Sequence, residues 1–307
     1  MNPSSRIRLL APFLLLASIT SALTAPPPSA IAPWDKVEKA LGRPGTLLPG
    51  DVFKVALPRT DLEVTLEGTR LEPALALGSW AAFRKMGNQD ESLVMGDLAL
   101  LEKETGPVMK SLLDQGFQVT ALHNHLIGEK PRLMYLHYEG TGDPGLLAEN
   151  LRKTLALTAT PFPGATAPAP SAATLEPAAK ADLDAVQKTL GREGKMAGRV
   201  LQIAFPRPET IRCEGMEIPP AMGMATALNF QPAPGGIATT GDFVLIDDEV
   251  MPVVKALRQG GVEVTAIHSH MLHESPTLKF VHFWAAGPAG KIAQTLRRAL
   301  DQVAPGK

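Results

Sequence analysis

Val119-Thr120-Ala121-Leu122-His123-Asn124-His125 and Val264-Thr265-Ala266-Ile267-His268-Ser269-His270 are one pattern written twice, 145 residues apart. Each is a β-rich apolar run that ends in His-x-His. Working outward, residues 96–155 align with 241–300 at that offset without a gap. Gly96-Asp97 meets Gly241-Asp242, and Pro107-Val108-Met109-Lys110 meets Pro252-Val253-Val254-Lys255. Upstream the match continues with small shifts: Val55 to Arg59 meets Ile203 to Arg207, Val37 to Gly42 meets Val186 to Gly191, and Pro73 to Phe83 meets Pro220 to Phe230. Self-similarity of this length is an internal repeat, and each copy is one domain's worth of chain.

The reading divides the 307 residues into a first repeat at 34–155, a Pro/Ala-rich linker at 156–182 and a second repeat at 183–302. The linker contains Pro161, Pro163, Pro168 and Pro170 among Ala and Thr, a composition without helical or strand period. Within each copy the pattern is α+β. Trp34–Leu41 and Leu183–Leu190 have helical spacing and stop at Gly42 and Gly191. Val52–Leu57 and Val200–Phe205 read as strands ended by proline. Weaker strand signals follow near Leu62–Leu66 and Ser79–Phe83. Asp97–Leu101 and Asp242–Ile246 read as strands, and Asp247 is placed as the cap of a helix running to Gln259. Two strands then meet at turns near Glu129-Lys130-Pro131 and Glu274-Ser275-Pro276. Leu147, Leu151 and Leu155, or Ile292, Leu296 and Leu300, mark a closing helix. The expected core is strand–helix–strand–strand–helix, a mainly antiparallel sheet with helices.

Six of the seven histidines occupy matched positions: His123, His125 and His137 in the first copy, His268, His270 and His282 in the second. Residues at i and i+2 on a strand share a face, so the first two of each set should extend the face of Phe117, Val119 and Ala121, or of Val262, Val264 and Ala266. A turn centred on Lys130 sets His123 opposite His137, with Tyr135 beside His125; a turn centred on Ser275 sets His268 opposite His282. Three converging imidazoles suit Zn²⁺ or another divalent transition metal. The fourth position is open to water or to Asp97, Glu129, Asp242 or Glu274. The alternative for the same residues is a set of hydrogen-bonded core histidines. His273, beside Glu274, makes the second copy the favoured site.

Other shared residues have plainer expectations. Gly96-Asp97 and Gly241-Asp242 are read as strand starts, Arg59 and Arg207 as surface ion pairs, Trp80 and Trp284 as packing residues. The single cysteine, Cys213, is read as a small buried strand residue.

Thirty basic against 31 acidic side chains leave a net charge of −1, which gives nucleic acid no bulk attraction. Nucleotide-binding loops, HExxH, GxSxG and CxxC motifs do not occur. Arg6 and Arg8 precede the apolar run Leu9 to Thr20, and Ser21-Ala22 and a proline cluster follow. That is the pattern of a signal peptide over residues 1–22, and its removal takes the charge to −3. The run is short for a membrane span, and no transmembrane segment is expected in the mature chain.

The segments Thr265 to His270, Gly241-Asp242-Phe243-Val244-Leu245 and Pro219-Pro220-Ala221-Met222-Gly223 resemble the LppY/LpqO lipoprotein-like family over nearly the whole mature chain. The resemblance implies an exported, commonly duplicated domain of unknown function, and brings no established activity to these residues. The lipobox cysteine of lipoprotein members is missing here, so lipid anchoring is not implied. The leading expectation is a periplasmic or secreted protein that binds a metal ion or small ligand through its repeated histidine clusters. A metal-dependent hydrolase and a non-catalytic envelope interaction module stand as alternatives, and the oligomeric state is open.

Overall fold

In the first repeat α1 (Pro33–Leu41) leads into β1 (Thr46–Leu48), β2 (Val52–Pro58), β3 (Thr65–Leu66), β4 (Thr69–Arg70), the single turn α2 (Pro73–Ala76) and β5 (Gly78–Lys85). Then come β6 (Ser92–Leu101), α3 (Glu102–Asp114), β7 (Gln118–His123), β8 (Leu133–Gly142) and α4 (Pro144–Leu155). The second repeat has α5 (Pro177–Leu190), β9 (Lys195–Ala197), β10 (Val200–Pro206), β11 (Arg212–Cys213), β12 (Met216–Glu217), a 3₁₀ turn (Pro220–Met222) and β13 (Ala225–Ala233). It closes with β14 (Gly236–Leu245), α6 (Asp247–Gln259), β15 (Glu263–His268), β16 (Glu274–Ser275), β17 (Lys279–Gly287) and α7 (Ala289–Leu300). This computed structural model describes residues 33–87, 90–162 and 175–303. The expected signal peptide lies outside the described residues, as does the middle of the expected linker.

Each repeat builds one six-stranded antiparallel sheet, in the order β1-β2-β5-β6-β8-β7 and β9-β10-β13-β14-β17-β15. The α+β expectation and the strand–helix–strand–strand–helix core are what the chain forms. Two elements differ in extent. Helix α5 begins at Pro177, inside the stretch read as linker, because proline is preset for the first helical position and Leu183, Val186 and Leu190 bury one stripe. The N-cap of α6 is Ile246, not Asp247, and the Glu249 carboxylate accepts from the Ile246 N–H at 3.0 Å.

One face of each sheet carries the helices. Val37, Leu41, Val108, Leu112, Leu147, Leu151 and Leu155 pack on Phe53, Val55, Phe83, Leu98, Leu136 and Tyr138 in the first repeat. Leu183, Val186, Val253, Leu257, Ile292 and Leu296 pack likewise on Ile203, Phe230, Phe243 and Phe283 in the second. Each fully buried Leu or Ile contributes about 1.5–3 kcal/mol.

The other two faces meet. Val52, Ala82, Leu93 and Met95 share a core with Ile211, Met222, Met224 and Phe280. Leu66, Leu75, Ala99 and Tyr135 share another with Val200, Ala238 and Trp284. The Trp284 indole also donates to Glu67 of the first repeat at 3.0 Å. The result is helix–sheet–sheet–helix, and the described residues from Pro33 onward form one compact unit.

Arg59 and Arg207, expected at the surface, are buried. Proline ends the strand just before each, turning the guanidinium under the sheet. Arg59 reaches Glu104 at 2.7 Å, Asp61 at 2.9 Å and the Ala99 carbonyl at 2.9 Å. Arg207 repeats the set with Glu249, Glu209 and the Val244 carbonyl. Each guanidinium thus locks a strand end to a helix start. Cys213 is buried, as expected.

Candidate metal centre

The histidines sit where the two sheets face each other. Their register differs from the expected one by two residues: His137 pairs with Ala121 and His123 with Tyr135, while His282 pairs with Ala266 and His268 with Phe280. The hairpin turns centre on Glu129 and Glu274, one residue earlier than expected, and farther from each turn a β-bulge lies between Val119 and Ala121 and again between Val264 and Ala266. The extra residue also flips the alternation. Phe117 and Val119 pack on the helix side, as do Val262 and Val264, while the histidines that follow point to the opposite repeat. The expected sharing of one face is therefore corrected.

A consequence is that the two expected clusters are one. His123 stacks on His268 with centroids 3.5 Å apart, His125 on His282 at 3.8 Å and His137 on His270 at 3.7 Å. These pairings are related by the pseudo-twofold that exchanges the repeats. Tyr135 and Phe280 cover the outer rings at 3.4 and 3.5 Å, His125 and His270 respectively. The bridging loops are tied across the interface: Asn124 Nδ2 donates to the Thr265 carbonyl at 3.0 Å, and the Thr265 hydroxyl donates to the His125 carbonyl.

The Nε2 atoms of all six histidines are buried and have no hydrogen-bond partner within the protein. Three Nδ1 atoms face carbonyl oxygens: His123 toward Asn124 at 3.1 Å, His268 toward Ser269 at 3.4 Å and His282 toward Gly241 at 3.0 Å. A carbonyl only accepts, so the proton belongs on Nδ1 and Nε2 carries a lone pair, the arrangement that orients a metal-binding imidazole. Burial lowers His123 to about 4 and His268 to about 3, and holds the other four well below the ordinary range, so all six are neutral. Two groups have ligand atoms within 4.8 Å of one another: His123, His268, His270 and His282, and His123, His125 and His137. A tetrahedral site with Zn–N of about 2.0–2.1 Å has N···N edges of about 3.4 Å, a small contraction away. The residues present fit a nitrogen-rich divalent site.

Gly96-Asp97 and Gly241-Asp242 lie in mid-strand, not at strand starts. One row crosses the first sheet through Ala56, Trp80, Asp97, His137 and Ala121, and the matching row holds Ala204, Ala227, Asp242, His282 and Ala266. Asp97 approaches the Nε2 atoms of His125 and His137 at 3.9 and 3.8 Å. Burial, then the neighbouring Asp242, push Asp97 well up, while burial carries Asp242 to about 7. Gly241 must be glycine because a Cβ there would sit 1.9 Å from the Ala227 carbonyl oxygen. Its own carbonyl faces His282.

Glu129 and Glu274 are not in the centre. Each carboxylate accepts the backbone N–H four residues on, Leu133 and Leu278, at 3.0 Å. They close the turns and belong to neither histidine group. His273 is exposed and joins neither group, so the second copy is not a separate, richer site.

Sequence reasoning missed Lys54. It faces a cavity of ≈ 690 Å³ that touches His125, His137, His270 and His282 and is also lined by Trp80, Asp97 and Asp242. The Lys54 ammonium lies 3.9 Å over the Trp80 ring and donates to the Ala221 carbonyl at 3.3 Å. Burial lowers it to about 8, against the pull of Asp97 and Asp242. A lysine inside the apolar run Val52–Leu57 was the available signal. Trp80, read as packing only, is its platform.

Residues 35–157 and 184–302 each match the family described as Domain of Unknown Function (DUF1259). The chain belongs to that family. Its two matches coincide with the two sheets that meet at the histidines. No curated protein matches the chain. Among solved structures, a trimeric bacterial microcompartment shell protein, PduB, is similar at 14% identity over 81% of this chain and 86% of that one. EtuB from Clostridium kluyveri is similar at 12% identity over 84% and 88%. Both have a TM-score of 0.19, and neither likeness carries an argument about fold or assembly. Among the described residues no helix is long and apolar enough to cross a membrane.

Proposed function

We propose that this is an exported protein that binds a divalent transition metal, Zn²⁺ by default, between its two repeats, with His123, His125, His137, His268, His270 and His282 as the ligand set. The observation that carries the reading is six buried Nε2 atoms without a protein partner, drawn from two repeats onto one place. A buried polar atom without a partner costs about 1–3 kcal/mol, and coordination removes that cost. His123 belongs to both groups and serves one ion at a time. One ion would take His123, His268, His270 and His282; a second would take His125 and His137 with a carboxylate, for which Asp97 is placed. Export to the periplasm or medium is supported by Arg6, Arg8 and the apolar run after them, and by the resemblance to LppY/LpqO-like proteins.

The test is metal titration of protein stripped with EDTA, with metal content measured after gel filtration. One or two equivalents of Zn²⁺ are expected for the full chain, and fewer for His123→Ala and His268→Ala. A wild-type chain that binds no Zn²⁺ at micromolar concentration overturns the proposal. A metal-dependent hydrolase is a second reading, favoured by a cavity that brings Asp97 and Asp242 to the histidines. It calls for zinc-dependent hydrolysis of a chromogenic ester that Asp97→Asn abolishes while metal stays bound.

A further inference from the structure

We infer that the cavity beside the histidines takes a small oxyanion, a phosphate- or carboxylate-bearing molecule, bound between the metal and Lys54. The inference rests on the metal-binding reading and adds the class of ligand.

Three observations lead there. The first is place. Four of the six histidines line the cavity together with buried Asp97, whereas Arg192, Glu193 and Lys195, which also line it, are exposed. The cavity therefore joins the centre to the surface, and its ≈ 690 Å³ falls within the range of small-molecule sites.

The second is charge. The lining carries three cations, Lys54, Arg192 and Lys195, against three carboxylates, Asp97, Asp242 and Glu193. Counted by formal charge, these six side chains sum to zero. One divalent ion adds two positive charges inside low-dielectric walls, and an anion is what such a space then attracts.

The third is asymmetry. The repeats agree at every histidine and at both aspartates around the centre. They disagree at Lys54, whose counterpart is Gln202, and at Trp80, whose counterpart is Ala227. The pseudo-twofold would be satisfied without a lysine. Lys54 is aimed by the Trp80 face and by one hydrogen bond to the Ala221 carbonyl, which leaves other ammonium protons for a ligand. Of the three cations that line the cavity only Lys54 is not exposed, and its lack of a counterpart across the pseudo-twofold gives the ligand one orientation.

The experiment uses the full chain at neutral pH, loaded with Co²⁺, whose visible bands report the coordination sphere, and titrated with inorganic phosphate. Saturable shifts of the bands are expected in wild type. Lys54→Met should weaken the response tenfold or more, Lys54→Arg should retain it, and Gln202→Met should leave it unchanged. Calorimetry with phosphate and metal-free protein should give no binding. The Co²⁺ bands of each variant also confirm that its centre has formed. Cobalt bands that phosphate leaves unchanged, or bleaches by stripping the metal, overturn the oxyanion inference and leave the metal reading standing, as does a Lys54→Met response equal to wild type. Failure of wild type to give cobalt bands at all overturns the metal reading and this inference with it.

Discussion

His268→Leu should have opposite effects on the metal-free and metal-loaded protein. In the metal-free chain His268 carries a buried Nε2 without a partner, at a cost of about 1–3 kcal/mol. Leucine of similar size removes that cost and gives up the 3.5 Å stack on His123, worth about 0.5–1.5 kcal/mol. The net change in EDTA should lie between roughly zero and 2 kcal/mol in favour of the variant. With metal the sign reverses. Wild type gains about 2.7 kcal/mol at a metal concentration 100 times Kd, and the variant, lacking one of the four ligands in the larger group, gains much less. The assay is urea denaturation of both proteins in EDTA and in Zn²⁺. For a chain of this size each kcal/mol moves Tm by about 2–4 °C, so thermal melts resolve the same crossing. If His268→Leu loses 2 kcal/mol or more in EDTA and wild type gains nothing from Zn²⁺, the ring is an ordinary packed core residue and the reasoning fails.

Arg59→Met strands Asp61 and Glu104 beside a buried apolar side chain and should cost about 3–5 kcal/mol in urea unfolding; a loss under 1 kcal/mol would contradict the buried network. Burial, with Glu139, Glu214 and Glu274 nearby, pushes the Cys213 thiol up to about 11, so at pH 8 about one molecule in a thousand is thiolate. Iodoacetamide should label the native protein at least 100 times more slowly than the unfolded chain at pH 8, with the native rate rising about tenfold per pH unit up to about pH 11; fast native labelling at pH 8 would refute this. Gly241→Ala drives a methyl into the Ala227 carbonyl and should cost about 1–3 kcal/mol, whereas Gly290→Ala, in helix α7 with nothing within 4 Å, should be neutral or stabilising. Equal stabilities for the two variants, measured in urea, would show that the strands yield at Gly241.

The repeat, the strand–helix–strand–strand–helix order and the six ligand candidates were legible because each depends on local pattern: period 2, period 3.6, or one copy matching the other. What was illegible depends on a single extra residue. Thr120 and Thr265 look like ordinary strand residues, yet the bulges at these points send the histidines to the face opposite Val119 and Val264, while turns centred one residue early, on Glu129 and Glu274, change the histidines' partners by two. Alternation alone assigns them to the helix side. Arg59 and Arg207 were misplaced for a similar reason: the proline before each marks the strand end, but only the tertiary path reveals that Glu104 and Glu249 wait beneath it.

The merging of two histidine triplets into one centre follows from burial more than from the histidines themselves. Each sheet leaves one face without helices, and in both repeats that face is apolar: Val52, Ala82 and Met95 in the first, Met222, Met224 and Phe280 in the second. Neither face is stable in water, and each copy offers the other the nearest apolar surface of matching shape. Docking them removes both faces from solvent, and it brings the bulged strands β7 and β15 together at the pseudo-twofold, with His123 stacked on His268. A single repeat would present three imidazoles at an open sheet edge, solvated and weakly organised. The duplicated chain presents six in a buried interface with their Nε2 atoms unpartnered, so the hydrophobic docking that completes the core is also the step that gathers the imidazoles into groups that could hold a metal ion.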